Sequence, residues 1–340
     1  MGLPEAADFA RNFAVMVRVQ GPDPKGLKMR NHAFHHYNSG KTMLSASGTI
    51  FPASNFCNLE SSDTVLVLTA ASVIEPFLLQ QYRENPSKDK PRLVPGVQID
   101  ILMEDKSMMD GNMEALPWLS AELLKMVNIP QSSAAVQSLI EASCGSLENS
   151  WEVGWSLASH SRGPQNVLEG SRAQNFPKLQ TSIPKRGDLL LAMGSPFGIL
   201  SPLHFFNNIS VGSVGNTYPP SSSTRSLLMA DIRCLPGMEG SPVFSEHARF
   251  IGLLTRPLRQ KVSGTEVQMV IPWEAVASAC SDLLQDDLHS KKIDYNNGNL
   301  NTVGNMLSKD RILPQPVSPI EDAMNSICLI TSDDGSWASG

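Results

Sequence analysis

Three stretches of this chain gather residue types that do chemistry. The richest is Pro236-Gly237-Met238-Glu239-Gly240-Ser241-Pro242, which sets a carboxyl and a hydroxyl among glycines in a tight turn. The backbone N–H groups of Gly237 to Gly240 can form a donor-lined concavity with Glu239 at its mouth, placed to accept them. The competing reading is that the loop serves only to connect strands 227–231 and 242–245 tightly. Ser241, with His247 six residues on, offers a hydroxyl and an imidazole; its plainer role is a turn residue before a buried strand. The second stretch, Leu68-Thr69-Ala70-Ala71-Ser72, ends an apolar run on a small hydroxyl residue. The third is Gly187-Asp188, an apolar run to Met193, and then Gly194-Ser195-Pro196-Phe197-Gly198.

Other chemistry-bearing clusters are weaker. Asn38-Ser39-Gly40-Lys41-Thr42 ends like a phosphate-binding loop, but the required upstream glycine is His35 and the preceding segment is polar. His32, His35 and His36 have no carboxylate or thiol beside them, so a solvated loop is the better reading than a metal site. Asp282, Asp286 and Asp287 read as a solvated acidic face. The five cysteines, Cys57, Cys144, Cys234, Cys280 and Cys328, are odd in number and widely spread. That pattern fits reduced thiols, and it provides no clustered zinc ligands. No cofactor and no metal are expected.

The elements that must position these residues are short. In 340 residues there are 24 glycines and 24 prolines, and brief apolar runs alternate with turn residues, which is the pattern of an all-β sandwich or barrel. Strands are expected at 13–19, from 47, at 64–70 and 97–103, from 151 to 158, and in six further short runs between 189 and 271. Residues 21–41 read as a polar loop. The run 64–70, apolar throughout, reads as buried on both faces. Helical spacing of apolar residues marks 120–127 and 132–142 as a helical insertion, about 118–143. Pro272 starts a C-terminal helix over 273–284. The net charge of −6 and sparse basic residues argue against nucleic acid as a partner. No run of 18 apolar residues calls for a membrane span, and the N-terminus lacks the apolar core of a secretory signal.

Taken in order, the three stretches resemble landmarks of the trypsin-like Deg/HtrA serine proteases. Thr69-Ala70-Ala71-Ser72 resembles the segment that carries their general base. The stretch 187–198 resembles their Gly-Asp strand and Pro-Phe-Gly turn, and 230–244 resembles their nucleophile loop. More narrowly, the chain is similar to the N-terminal half of plant glyoxysomal, or peroxisomal, processing proteases, which trim targeting presequences from imported matrix proteins. The resemblance covers about 13–284. It implies an all-β, trypsin-like double β-barrel over 10–284.

It also implies that the catalytic positions are lost. Ser72 stands where the base belongs, and a hydroxyl cannot take a proton at neutral pH. Glu239 stands where the nucleophile belongs, and a carboxylate there cannot form the acyl-enzyme. The third position falls on Glu152 or Gly154. Gly237, Met238, Glu239, Gly240 and Ser241 remain as an oxyanion-loop remnant. Ser241 as an active nucleophile would need a two-residue shift against fixed amide donors. The expectation is a non-catalytic module of a peroxisomal serine endopeptidase that binds peptide or protein substrates, packs on a catalytic barrel, or pairs with full-length subunits. Peroxisomal residence follows from the resemblance; a chain made alone is expected either to stay in the cytoplasm or to enter bound to a partner.

Residues 285–325 are polar and rich in Asn, Asp, Ser and Pro, and read as a mostly disordered linker. Beyond it, an apolar strand followed by Ala338-Ser339-Gly340 echoes the strand from Asn12 and the later Ala46-Ser47-Gly48. Residues 326–340 are therefore expected to be the first strand of a truncated second protease domain.

Overall fold

The computed structural model describes residues 2–24, 36–38, 40–52, 64–84, 91–104, 118–141, 151–153, 165–171, 177–219, 225–281, 329–331 and 337–339. Residues 1–291 form one compact unit and 292–340 a second. In the first unit, α1 (Leu3–Ala10) starts with Pro4 in its first turn, and Gly2 N–H donates to Glu5 Oε2 at 2.7 Å, satisfying one orphan donor. There follow β1 (Ala14–Pro22), β2 (His36–Asn38), β3 (Lys41–Pro52), β4 (Thr64–Ala70), α2 (Gln80–Glu84), β5 (Gln98–Met103), β6 (Trp118–Val127), α3 (Pro130–Glu141), β7 (Trp151–Val153) and β8 (Gln165–Ser171). Then come β9 (Leu189–Gly194), α4 (Pro202–Phe205), β10 (Asn208–Tyr218), β11 (Leu227–Ala230), β12 (Pro242–Ser245), β13 (Phe250–Leu254), β14 (Leu258–Gln260), β15 (Glu266–Pro272) and α5 (Trp273–Ala279).

Two barrels result. The first sheet runs β1-β5-β6-β8-β4-β3-β2, and the β1–β3 pairing closes six of its strands into a ring. The second runs β11-β10-β9-β12-β13-β15-β14-β7, and β11–β15 closes six of those. Closure removes the unpaired edges that open sheets must protect. Period-two alternation then splits each central strand between two environments. In β4, Val65 and Val67 fill the first barrel while Leu66 and Leu68 face the junction cluster. In β9, Leu190 and Ala192 fill the second barrel while Leu191 and Met193 face that same cluster. The junction is aromatic. Phe51 of β3 stacks on Trp273 of α5 with centroids 5.2 Å apart, Phe250 meets Trp273 edge-on at 5.3 Å, and Phe13 lies 5.9 Å from Phe244.

The structure corrects several sequence expectations. Residues 118–127 are strand, not the first half of a helical insertion; only α3 is helical there. Ala, Leu, Glu, Lys and Met favour helix in isolation, yet β6 has partners on both sides and ladder pairing prevails. Ala121 and Leu123 point into the barrel, a bulge between Leu123 and Lys125 shifts the register, and Arg18 of β1 lies 3.8 Å over the Trp118 ring while pairing with Asp100 at 2.9 Å. The polar stretch 21–41 is not all loop: β1 reaches Pro22, and β2 pairs with the start of β3 through a hairpin that contains the Asn38 to Thr42 motif. The strand expected over 151–158 is described only as β7, and it joins the second sheet. Helix α5 ends at Ala279, capped by Cys280. The linker expected over 285–325 lies outside the described residues.

In the second unit, β16 (Leu329–Thr331) pairs antiparallel with β17 (Trp337–Ser339), Leu329 opposite Ser339 and Ile330 opposite Ala338. The first barrel sets Met16 opposite Ser47 and Val17 opposite Ala46. The two Ala-Ser pairs thus meet apolar strands in the same register.

The junction aromatics give a stability prediction. Trp273→Ala should lower the unfolding free energy by about 3–5 kcal/mol in urea titrations. Val262→Ala, at an exposed position, should change it by less than about 0.5 kcal/mol.

Candidate functional site

The loop between β11 and β12 is shaped from outside as much as from within. Gly237 (φ +96°) and Gly240 (φ +87°) hold left-handed backbone that other residues adopt only with strain. A Cβ on Gly240 would also sit 2.3 Å from the Ser47 carbonyl oxygen, so only glycine lets the loop touch β3. Within the loop, Met238 N–H donates to Leu235 O (2.9 Å) and Ser241 N–H to Met238 O (3.1 Å), while Gly240 N–H donates to Leu254 O of β13 (2.8 Å). The first barrel takes up the outward carbonyls. Ser47 Oγ donates to Gly237 O (2.7 Å), Ser47 N–H to Glu239 O (3.1 Å), and Thr49 Oγ1 to Gly240 O (3.1 Å). Ser47 Oγ also accepts Ser195 N–H at 2.8 Å, which ties in the turn after β9.

The Glu239 side chain turns back into this loop. It is buried, and its Oε2 accepts Gly237 N–H at 2.9 Å. The backbone N–H of Glu239 itself also favours the carboxylate. The sequence resemblance sets Glu239 at the nucleophile position; on that expectation these are the amides that in serine proteases are aimed at the oxyanion of the tetrahedral intermediate. Here the Glu239 carboxylate accepts Gly237 N–H. Burial pushes the Glu239 carboxyl above its usual range; the two amides and Arg256 pull the other way and do not fully offset it. Arg256, half-buried just past β13, is itself pushed down by burial and held up by Glu239 and Glu75. Glu75, in a 3-10 turn that follows β4, is raised by burial and faces Arg256 and Arg83. Alternating charges, Glu239, Arg256, Glu75 and Arg83, therefore run from the loop to the first barrel.

Ser72 lies on the 3-10 turn Ala71–Val73, 8% exposed, and its Oγ has no hydrogen-bond partner among the described residues. Its segment meets the loop: a Cβ on Gly240 would lie 3.0 Å from Ala70 N and 3.2 Å from Thr69 Cα. Glu152 is placed elsewhere. On β7 it stands exposed opposite Arg259, while its neighbours Trp151 and Val153 pack on the junction cluster. Gly154 lies outside the described residues. Ser241 is fully buried; its Oγ has no partner among the described residues and packs against Gly194, where a Cβ would come within 2.0 Å of it. His247 is exposed on the turn before β13, beside Glu246 at 3.8 Å. Among the described residues no group of three or more His, Cys, Asp and Glu is placed to hold a metal, and no helix is long and apolar enough to cross a membrane. Sequence reasoning passed over Ser47, Glu75 and Arg256. The available signals were the small hydroxyl residues Ser45, Ser47 and Thr49 within β3 and a cation two residues past the apolar run of β13.

No family model matches the chain. Over 108 residues it is 33% identical to the peroxisomal leader peptide-processing protease of Homo sapiens, covering 31% of this chain and 18% of that protein. Over 75 residues it is 41% identical to the Mus musculus protein of the same name, covering 22% and 12%. The matched stretches thus span less than a fifth of these relatives. Among solved structures, an HtrA-type protease with a decapeptide matches at a TM-score of 0.43 and 14% identity, over 80% of this chain and 64% of the other. Part of the chain is thus similar to peroxisomal leader peptide-processing proteases, and its fold is all-β with two closed barrels.

The raised Glu239 pKa fixes the sign of a pH dependence. The folded state holds this proton more tightly than the unfolded chain does. Its contribution to stability is therefore fully present below the ordinary range near 4.5 and is lost as pH rises through the raised value. Glu239→Gln should flatten that decline by up to about 1.4 kcal/mol per pH unit. Urea midpoints measured from mildly acidic to neutral pH check this; Glu75 and Glu274, raised in the same direction, keep part of the slope in both proteins.

Proposed function

We propose that this chain is a non-catalytic module of a peroxisomal leader peptide-processing system, a protease fold that handles or positions peptide substrates without cutting them. The observation that carries this reading is the Glu239 carboxylate resting on Gly237 N–H at 2.9 Å, where a working enzyme would keep an open oxyanion site beside a serine. Ser72 adds to it, because a buried hydroxyl cannot serve as the general base. The alternative nucleophile Ser241 is disfavoured by its complete burial, while His247 is exposed beside Glu246.

The peroxisomal setting and the peptide class of ligand come from the matched relatives. The register shared by β1–β3 and β16–β17 supports the further reading that residues 326–340 open a second barrel of the same kind. On that reading the first unit is a partner domain, packing beside a catalytic barrel or pairing with full-length subunits.

Treatment of the purified chain with a fluorophosphonate probe tests the central claim. Labelling should stay below roughly a thousandth of that of an active serine protease run alongside, since losing triad members costs at least that much. Stoichiometric labelling of Ser241, with peptide hydrolysis, would overturn it. Glu239→Ser alone should stay unlabelled, because Ser72 still provides no base.

A further inference from the structure

The carboxylate of Glu239 is held as a bound ligand would be. Its Oε2 accepts Gly237 N–H at 2.9 Å, and the amide of Glu239 supports the same group. Successive backbone amides converging in a left-handed turn form an anion-binding nest. This nest does not depend on Glu239 for its shape. Ser47 holds the carbonyls of Gly237 and Glu239 from β3, Thr49 holds that of Gly240, and Leu254 of β13 accepts Gly240 N–H. The left-handed backbone of Gly237 and Gly240 sets the rest. The amide donors would therefore keep their positions if the side chain left. A second observation also points to a ligand. Ser72, on the segment that abuts the loop, has a hydroxyl more than nine-tenths buried and without a hydrogen-bond partner among the described residues, a condition native interiors rarely tolerate. Arg256, half-buried beside the carboxylate, supplies the positive field that any anion entering here would meet.

We propose that the Gly237–Glu239 nest is a carboxylate-binding site that the chain keeps closed with its own Glu239, a tethered ligand that an external carboxylate must displace. The proposal deepens the non-catalytic reading by naming the ligand chemistry of the same loop, but it stands or falls separately, because binding is measured without reference to hydrolysis. The external ligand would carry a single carboxylate, either a peptide C-terminus or a free carboxylic acid. Ser72 and Arg256 would line its approach.

Acetate is the probe. In Glu239→Ala, acetate should raise the thermal midpoint with the logarithm of its concentration above its dissociation constant, by roughly 3 °C at about ten times that constant. The wild-type chain should show no such response, since its own Glu239 side chain already fills the nest. Acetamide, and sodium chloride at equal ionic strength, should have no effect on the variant. In Glu239→Gln the carboxamide oxygen still fills the nest, and acetate should again do nothing. Glu239→Ser gives the same readout if the alanine variant does not fold unaided, and acetate should then restore folding to either. A peptide with a free C-terminal carboxylate, set against its amidated twin, separates a chain terminus from a free acid as the source. Equal responses of wild type and Glu239→Ala, equal effects of acetate and acetamide, or failure of both small variants to fold even in acetate would each overturn the proposal.

Discussion

A serine hydroxyl can donate one hydrogen bond and accept two, and Ser47 commits its own across the junction of two barrels. It belongs to β3 of the first barrel. Its Oγ donates to Gly237 O and accepts Ser195 N–H, both in the second barrel, while its backbone N–H reaches Glu239 O and its carbonyl receives the Thr69 hydroxyl. The site is fully buried, so each of these bonds replaces one that water can no longer supply, and losing a partner would leave a desolvated polar group. The apolar cluster around Phe51, Phe250 and Trp273 brings the barrels together without strong directional preference. Ser47 supplies the direction, fixing which backbone atoms of the loop face which strand.

With the loop so fixed, the electrostatics of Glu239 follow. Its carboxylate leaves water, which favours the neutral acid, and it gains two amides and a neighbouring guanidinium, which favour the anion. Burial is the larger effect. Arg256 is pulled the same way, toward neutrality by burial and back toward charge by Glu239 and Glu75. Each charge is thus tolerable mainly because the next is there. Removing one member of such a set leaves its neighbours buried and uncompensated, which costs more than the set as a whole contributes to stability. Cys234 feels the same field: burial first, then the nearby Glu239, raises its thiol well above the usual range, so it stays protonated and chemically quiet.

Much of this was legible in sequence where a residue's local constraint coincides with its global role. The uninterrupted apolar run of β4 reads as buried on both faces, and both faces are buried, one in a barrel and one in the junction. The glycines of the 237–241 loop mark a tight turn because left-handed backbone leaves little alternative. What sequence could not supply was pairing. Residues 118–127 have helix-forming composition and become a strand only because β5 and β8 flank them, a fact stored elsewhere in the chain. Helix α1 was missed for the opposite reason: its cap is a glutamate reaching back to Gly2 N–H, in eight residues that look like an unremarkable terminus. Glu152 is a candidate by its type and rough position, but the alternation that packs the half-buried Trp151 and Val153 on the junction turns it to solvent opposite Arg259. Ser47 and Arg256 matter through partners some 190 and 17 residues away from them in the chain, and no local pattern encodes such contacts.

The loop's shape and its chemistry are specified by different residues. Shape comes from Gly237, Gly240, Ser47 and Thr49 and from the β13 backbone, none of which is a nucleophile or a base. Chemistry depends on whichever side chains occupy positions 72 and 239, and neither is needed to hold the backbone where it is. The backbone of the loop is therefore compatible with different side chains at positions 72 and 239, because fold and site chemistry are specified separately. The donors are the part that persists. A buried backbone amide must be satisfied by something, and an acceptor from the same turn supplies it without any outside partner. Glu239 meets that requirement for the Gly237 amide from within the same turn, so one side chain satisfies the loop's backbone and leaves the loop's shape to the residues around it.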